Sequence, residues 1–339
     1  MKVRSLGSSG IEASAVAFGA WAIGGWKWGG TDAENSVAAI RSALDAGVTM
    51  IDTAAVYGFG LSEELVGRAI AGRPREEIVL ATKCGLRWDV ESPTVHAESE
   101  GRRICRSLAP DSIREELLRS LERLGVEHVD LYQTHWPDPE TPLESVIDTL
   151  DALVAEGLIR AWGMCNTDPD DLAVAVEQGS PACDQERYSL LDREQDALNL
   201  PLCRTEGLAF LAYSPIAQGL LTGRIDGRRE FAEGDLRRDN PRFAPRVLEA
   251  VQALLAPVKS LARDRDVTVE QLVLAWTLRR PGVSHVLVGA RNVEQARSNA
   301  RAGNLELDEE ELGIVEHAAA AWPGFEALAE PSAEPSERD

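Results

Sequence analysis

Four side chains of complementary chemistry stand where predicted strands end. Asp52 falls inside the apolar run MIDTAAV, and Tyr57 follows it by five residues. Lys83 and His135 close two later apolar runs. A buried carboxylate is costly unless a cation pairs with it, so we expect Lys83 to be the partner of Asp52. The ammonium would lower the pKa of the Tyr57 phenol, a general acid for a carbonyl oxygen that His135 orients.

These residues need strands that end at one place, and the sequence predicts eight such strands. Short apolar runs alternate with amphipathic helical patterns. The predicted strands cover residues 15–21, 50–54, 78–84, 129–136, 159–166, 182–185, 208–214 and 285–290. Strand-then-helix repeated eight times is typical of an α/β protein with a single (β/α)8 TIM barrel, which carries active sites at the carboxyl ends of its strands. A doubly wound nucleotide-binding sheet would show G-x-G-x-x-G after its first strand, and this chain does not.

Local sequence patterns outside the strands predict where helices begin and where a hairpin forms. Capping boxes are predicted at Thr31…Glu34, Ser112…Glu115 and Thr268…Gln271, each at the start of a helix. Residues 2–14 are predicted to form a hairpin before the first strand. Such an N-terminal hairpin could close the bottom of the barrel.

Two segments are too long for plain connections, and both follow strand ends. Residues 85–111 and 219–246 are therefore predicted to be long lids or binding walls at the C-terminal face. The barrel domain is expected to span 1–325. The polar, proline-bearing tail 326–339 is expected to be disordered.

The composition indicates which partners are not expected and where the protein is located. The 339 residues include 56 Asp and Glu against 35 Lys and Arg, a net charge of −21. Nucleic-acid and anionic-membrane partners need clustered cations, so neither is expected. No apolar run approaches the ~20 residues of a membrane span. The five cysteines show no CxxC spacing, which fits free thiols and a cytoplasmic protein.

With these features together, the sequence resembles the aldo-keto reductase family over nearly its whole length. The stretches that carry the likeness include GVTMIDTAAVYGFGLSEELVGRAI, VLATKCG, DLYQTHWPDP, AYSPIAQGLLTGR and VLVGARNVEQARSN. The likeness is greatest to the bacterial sugar- or inositol-associated branch. The resemblance implies the same barrel and a catalytic tetrad of Asp52, Tyr57, Lys83 and His135. It also implies NADPH, with NADH as the second option, bound across the top of the barrel.

The resemblance further assigns cofactor-binding roles to residues at the strand ends and in the loops after them. They are Gly19, Ala20, Trp21, Asp52, Cys165, Asn166, Gln185, Tyr213, Ser214, Pro215, Gly219, Leu220, Thr222, Arg224, Gly289, Arg291, Gln295 and Asn299. Asn166 and Gln185 would hold the carboxamide, and Tyr213 would stack on the nicotinamide. Arg291 is the candidate for the 2′-phosphate, by bidentate pairing. The chain departs from the family pattern at Cys165, where serine is usual, and at Ser298, where glutamate is usual.

Aromatic side chains are expected to line the substrate pocket. The candidates are Trp21, Trp26, Trp28, Tyr57, Trp88, His135 and Trp136. Indole walls suit sugars, aromatic aldehydes and terpenoid ketones alike, so the sequence leaves the substrate open. It also leaves open the direction of the reaction and the oligomeric state.

The sequence thus predicts an NADPH-dependent oxidoreductase of the EC 1.1.1 type. It would reduce small aldehydes or ketones, or oxidise sugars or alcohols in reverse. The alternative is a nucleotide-sensing regulatory subunit that resembles potassium-channel β subunits. A barrel glycosidase would need two flanking carboxylates, and AYSP at the seventh strand end offers none. A divalent-metal isomerase would need clustered ligands, and the five histidines do not cluster in the strand map, so no metal is predicted.

Overall fold

Eight parallel strands close into a barrel in the computed structural model, which describes residues 1–328. Each strand pairs with the next in chain order, and the eighth pairs with the first. The strands are β1 Val16–Gly19, β2 Met50–Asp52, β3 Val79–Cys84, β4 Val129–Thr134, β5 Ile159–Cys165, β6 Cys183–Arg187, β7 Ala209–Tyr213 and β8 Val283–Gly289. The predicted α/β fold, a (β/α)8 TIM barrel, is confirmed.

Helices surround the barrel and bury their apolar faces against it. They are α1 Ala33–Asp45, α2 Leu61–Ile70, α3 Pro110–Leu124, α4 Leu143–Ala155, α5 Pro169–Gln178, α6 Asn199–Glu206, α7 Pro245–Leu254, α8 Ala256–Asp264, α9 Val269–Arg279, α10 Val293–Ala302 and α11 Glu309–Ala320. The helices α7 and α8 come between β7 and α9, and α11 follows the eighth β/α unit.

One of the three predicted capping boxes is present. Thr268 accepts a hydrogen bond from the amide of Gln271, whose side chain accepts from the Thr268 amide, so α9 begins as predicted. The box predicted at Ser112 and Glu115 is wrong, because α3 begins earlier, at Pro110, with Ala109 as its N-cap. The box predicted at Thr31 and Glu34 is also wrong. The Asp32 carboxylate caps α1 instead, because it accepts from the backbone amide three residues later.

The predicted N-terminal hairpin is also present. Val3–Ser5 and Glu12–Ser14 pair as antiparallel strands. Leu6 and Ile11, between them, are buried among apolar side chains of the barrel interior. The hairpin therefore closes the end of the barrel opposite the active-site face.

The two predicted long loops carry local structure at the C-terminal face. The first contains a three-stranded antiparallel sheet, here named the loop sheet, made of Leu86–Arg87, Val95–Ser99 and Arg102–Arg106. The second loop reaches back across the barrel top, where Asp235 forms a β-bridge with Trp28 of the loop after β1.

The chain after α11 continues to pack on the barrel as far as it is described. Trp322, Phe325 and Leu328 contact the main core, and Glu326–Leu328 form a short 3-10 helix. The rest of the predicted tail, 329–339, lies outside the described residues. Within residues 1–328, the helices lack the combination of length and apolarity that crossing a bilayer would require.

Candidate active site

A buried ion pair lies at the top of the barrel. Asp52 is the last residue of β2 and Lys83 is the last but one of β3. The two residues are 4% and 1% exposed, and the Lys83 Nζ donates to Asp52 Oδ2 at 2.7 Å and to the Thr53 carbonyl at 2.9 Å. Burial on its own would lower the pKa of Lys83, but Asp52, followed by Tyr57 and Cys165, more than offsets it, and the pKa lies above its usual value. The amine is therefore charged at neutral pH.

The second oxygen of Asp52 is held by two amides from inside the barrel. Its Oδ1 accepts from Gln185 Nε2 at 2.9 Å and from Gln133 Nε2 at 3.2 Å. Gln185 is only 2% exposed and also donates to Gln133. In this arrangement Gln185, a predicted carboxamide ligand, lies beneath the ion pair and fixes the orientation of its carboxylate.

Tyr57 is positioned by a close approach of two loops. Gly58 has a φ of +67°, and a Cβ on it would lie 2.2 Å from the carbonyl oxygen of Gly24 in the loop after β1, so only glycine can follow Tyr57. The Tyr57 hydroxyl lies 3.5 Å from Lys83 Nζ. Its ring meets that of His135 edge to face, with 5.5 Å between centroids. The four predicted catalytic residues are thus brought together.

The net pKa shift of Tyr57 is opposite in direction to the one expected from the sequence. Burial raises the pKa of the phenol, and this outweighs Lys83, which lowers it, so the net shift is upward. Tyr57 is therefore protonated at neutral pH. Burial, with Lys83 and His96, holds the pKa of His135 well below its usual range, so its imidazole is neutral and carries one N–H donor.

A second hydrogen-bonded group joins the ends of β4, β5 and β7. Asn166, which adopts a φ of +55°, donates to the carbonyl of His135 at 2.9 Å and accepts from the Tyr213 hydroxyl at 2.8 Å. The Cys165 sulfur lies 3.1 Å from the same amide nitrogen. Burial raises the pKa of this thiol, so it stays protonated and neutral.

A cleft of about 400 Å³ lies beside this cluster, between the ends of β1, β7 and β8 and the loop after β7. The predicted cofactor residues that line it are Gly19, Trp21, Ser214, Pro215, Gly219, Thr222, Arg224, Gly289, Arg291, Gln295 and Asn299. Ala20 and Leu220, by contrast, are buried in the main core and do not line the cleft.

Several lining residues were not predicted. They are Ala22, Ile216, Gln218, Ile225, Arg229, Arg237, Glu270, Leu287 and Val288. Glu270 reaches the cleft from the first turn of α9, where its Oε1 accepts from Arg224 at 3.0 Å. Arg237 stacks on the Trp28 ring, 4.7 Å from its centroid. No sequence signal pointed to Glu270, because it enters the cleft from α9, whereas Arg237 lies in the segment 219–246, which was predicted to be a lid or binding wall without naming this residue.

The turn after β7 has an uncommon backbone. Ser214, Ala217 and Gln218 have φ values of +53°, +46° and +55°, a region that side-chain-bearing residues seldom adopt. Such strain costs of order 1–3 kcal/mol per residue and concentrates at ligand sites. This turn lines the cleft, which supports a binding role for it.

Arg291 spans the adenosine end of the predicted cofactor site. Its guanidinium donates to the carbonyls of Trp28 at 3.2 Å and Gly30 at 2.8 Å. Within residues 1–328 it forms no ion pair with a carboxylate, whereas Arg224 is paired with Glu270. Of the four arginines that line the cleft, Arg224 and Arg237 are paired with carboxylates, whereas Arg229 and Arg291 form no ion pair with any described residue.

Aromatic side chains cluster next to Tyr57. The rings in contact are Trp21 with Trp28 at 5.4 Å, Phe59 with Trp88 at 5.4 Å, and His96 with Trp136 at 5.1 Å. Trp26 is 6% exposed, and its indole N–H donates to Ser99 at 2.9 Å, which places it beneath the loop sheet. Phe59, two residues after Tyr57, was not predicted, and neither was His96, because the loop sheet that brings His96 to the site was not foreseen.

Comparison with known proteins agrees with the fold. The model of the Aldo/keto reductase family matches residues 15–320. The chain therefore belongs to this family of oxidoreductases, whose members use nicotinamide cofactors.

Individual relatives match over almost their full length. The chain is 36% identical to the NADH-specific methylglyoxal reductase of Escherichia coli (strain K12), over 95% of this chain and 99% of that protein. It is 36% identical to aldo-keto reductase YhdN of Bacillus subtilis (strain 168), over 98% and 99% of the two chains. The structure of the glycerol dehydrogenase AKR11B4 from Gluconobacter oxydans superposes with a TM-score of 0.83 at 36% identity, with 98% of each chain covered.

Proposed function

We propose that this protein reduces a small aldehyde or ketone with NADPH, with Tyr57 as the proton donor. One observation carries the proposal. The Tyr57 hydroxyl lies 3.5 Å from a buried ammonium, Lys83, which Asp52 holds in place. Positive charge at that point stabilises the phenolate that remains when the proton leaves.

The residues of the cleft suit a dinucleotide. Its walls combine the left-handed turn after β7, the guanidinium groups of Arg224 and Arg291, and indole surface from Trp21. When bound, the nicotinamide cofactor supplies the hydride. Arg224 would receive the pyrophosphate once released from Glu270, and Arg291 would pair with the 2′-phosphate of NADPH. A relative named as NADH-specific makes this last assignment the one to test.

The protonation states favour reduction over oxidation. Burial keeps Tyr57 protonated, and neutral His135 has an N–H to donate. A carbonyl oxygen that gains negative charge becomes more basic than a phenolate, so it takes the proton from Tyr57. The reverse reaction would need Tyr57 as a phenolate, which its raised pKa disfavours.

The proposed substrate is a small carbonyl compound or sugar, and the proposed location is the cytoplasm. The five cysteines support the location, since all are free and buried. The test is oxidation of NADPH by the purified protein with a panel of aldehydes, ketones and sugars. We expect oxidation that depends on the aldehyde. A protein that binds NADPH but reduces none of the panel would contradict the proposal and favour a nucleotide-sensing role.

A further inference from the structure

One strand of the loop sheet presents two arginines to the aromatic cluster. Side chains alternate along the strand Arg102–Arg106, and its middle residue Ile104 is buried in that cluster. Arg102 and Arg106 share the face of Ile104. Their guanidinium carbons lie 4.5 Å from the Phe59 ring centroid and 5.2 Å from that of Trp136.

Two more basic side chains approach the same place. The Lys27 ammonium, from the loop after β1, lies 4.6 Å from the ring centroid of Trp26. His96 is opposite the arginine strand, at a β-bulge that turns it toward Trp136. Burial, then Arg106, then Lys27 lower the pKa of His96 to about 4, so both cations lie close to it. The basic groups of two separate loops therefore converge.

These cations lack carboxylate partners. No carboxylate of residues 1–328 forms an ion pair with Lys27, Arg102 or Arg106, although the chain carries a net charge of −21. Arg87 in the same sheet, by contrast, is paired with Asp89. Arg106 donates to the carbonyl of Pro137 at 3.1 Å, and its buried Nε has no partner.

The acidic residue on the strands of the loop sheet, Glu98, lies on the face opposite these cations. Glu98 pairs in register with Arg103, and both lie on the face opposite Ile104. Arg103 donates to the Ser92 carbonyl at 3.5 Å on that outer face. The inner face is therefore the cationic one, and it borders the site because Trp136 directly follows His135.

We propose that the carbonyl substrate carries an anionic group, a carboxylate or a phosphate, which Lys27, Arg102 and Arg106 receive while the carbonyl lies at Tyr57. This inference rests on the proposed function and adds the class of substrate. The rings beneath the cations hold them in place, and Lys27 and Arg106 are half-buried, which limits their hydration and strengthens pairing with an anion. The positive charge of Lys27, Arg102 and Arg106 would also attract anionic substrates to this side of the site, although the protein as a whole is acidic.

The test compares pairs of aldehydes that share the same carbonyl and differ in whether they carry an anionic group. 4-Carboxybenzaldehyde is matched with methyl 4-formylbenzoate, and glyceraldehyde 3-phosphate with glyceraldehyde. We expect kcat/KM to favour at least one anion over its neutral partner by about tenfold at low ionic strength, through KM, and the preference to shrink as salt is added. Preference for the acid alone or the phosphate alone identifies the anion and supports the inference in either case.

Single substitutions test which residues cause the preference for anionic aldehydes. Lys27→Gln and Arg106→Gln should each reduce the ratio of kcat/KM between anion and neutral partner. Arg103→Gln, one residue from Ile104 on the opposite face, is the matched control and should retain the ratio. Equal kcat/KM for charged and neutral aldehydes in the unmodified protein would overturn the inference alone. Absence of turnover with every aldehyde would overturn the proposed function and this inference with it.

Discussion

Lys83 donates to Asp52 across 2.7 Å in the barrel interior, and both side chains are almost fully buried. The pair links the stability of the barrel to its chemistry. The ammonium needs the carboxylate in order to stay charged where it is, and Tyr57 needs the ammonium in order to release a proton.

Asp52→Asn should destabilise the protein by about 3–5 kcal/mol, because it leaves the Lys83 charge buried without its anion. Denaturant titration measures the free energy of unfolding. The matched control is Glu156→Gln, which breaks the exposed pair with Arg114 and should cause a far smaller loss. Equal losses in the two variants would show that burial of the pair carries no special cost.

Stability should fall as pH rises from the usual carboxyl range to about 9, because of two buried carboxyl groups on β6. Burial raises the pKa of both Asp184 and Glu186, which contact one another, so the folded state keeps protons that the unfolded state has released. The free energy of unfolding therefore falls as pH rises from the usual carboxyl range toward the raised pKa values. Glu116, with a pKa raised by burial to about 8, adds to the same loss.

Asp184→Asn should reduce that loss without abolishing it, since Glu116 remains. The amide removes one acid and can donate to Glu186. Thermal melting at a series of pH values measures the effect, and the variant should gain Tm relative to the unmodified protein as pH rises. Asp148→Asn, an exposed change on α4, is the control. Melting curves for Asp184→Asn that stay parallel to those of the unmodified protein at every pH would contradict this account.

Arg291→Ala should weaken NADPH binding by about tenfold or more while changing NADH binding little, because only NADPH brings a 2′-phosphate to the guanidinium. Titration with each cofactor gives the two Kd values. Arg301→Ala, an exposed change at the end of α10, controls for the loss of a positive charge. Equal weakening of both cofactors would mean that Arg291 acts only through its bonds to Trp28 and Gly30.

The catalytic cluster could be predicted because of how parallel barrels are built. Their strands are buried on both faces, so each is a nearly continuous apolar run, and a polar residue at the end of a run stands out. Asp52 and Lys83 were found in this way, and the structure joins them. The sequence shows a glycine at position 58 but not why it is needed. The reason is the close approach of Gly24, which belongs to another loop.

Other features depend on three-dimensional contacts that no local pattern encodes. Asp32 displaced Thr31 as the cap of α1 because adjacent residues competed for the same amides. The shift of the Tyr57 pKa was predicted with the wrong sign, since its sequence neighbours revealed the nearby cation but not the depth of burial. The cationic face of Arg102 and Arg106 became visible only once the loop sheet fixed which side chains point inward.

The central claim is that the Tyr57 hydroxyl donates the proton, and Tyr57→Phe tests it most directly. The variant keeps the ring that packs against His135 and removes only the hydroxyl. We expect kcat to fall by about 10²–10⁴-fold with the Kd for NADPH unchanged. Tyr188→Phe, which removes a hydroxyl bonded to Asp196 away from the cleft, should retain turnover. Turnover by Tyr57→Phe at the rate of the unmodified protein, with NADPH bound, would contradict the account.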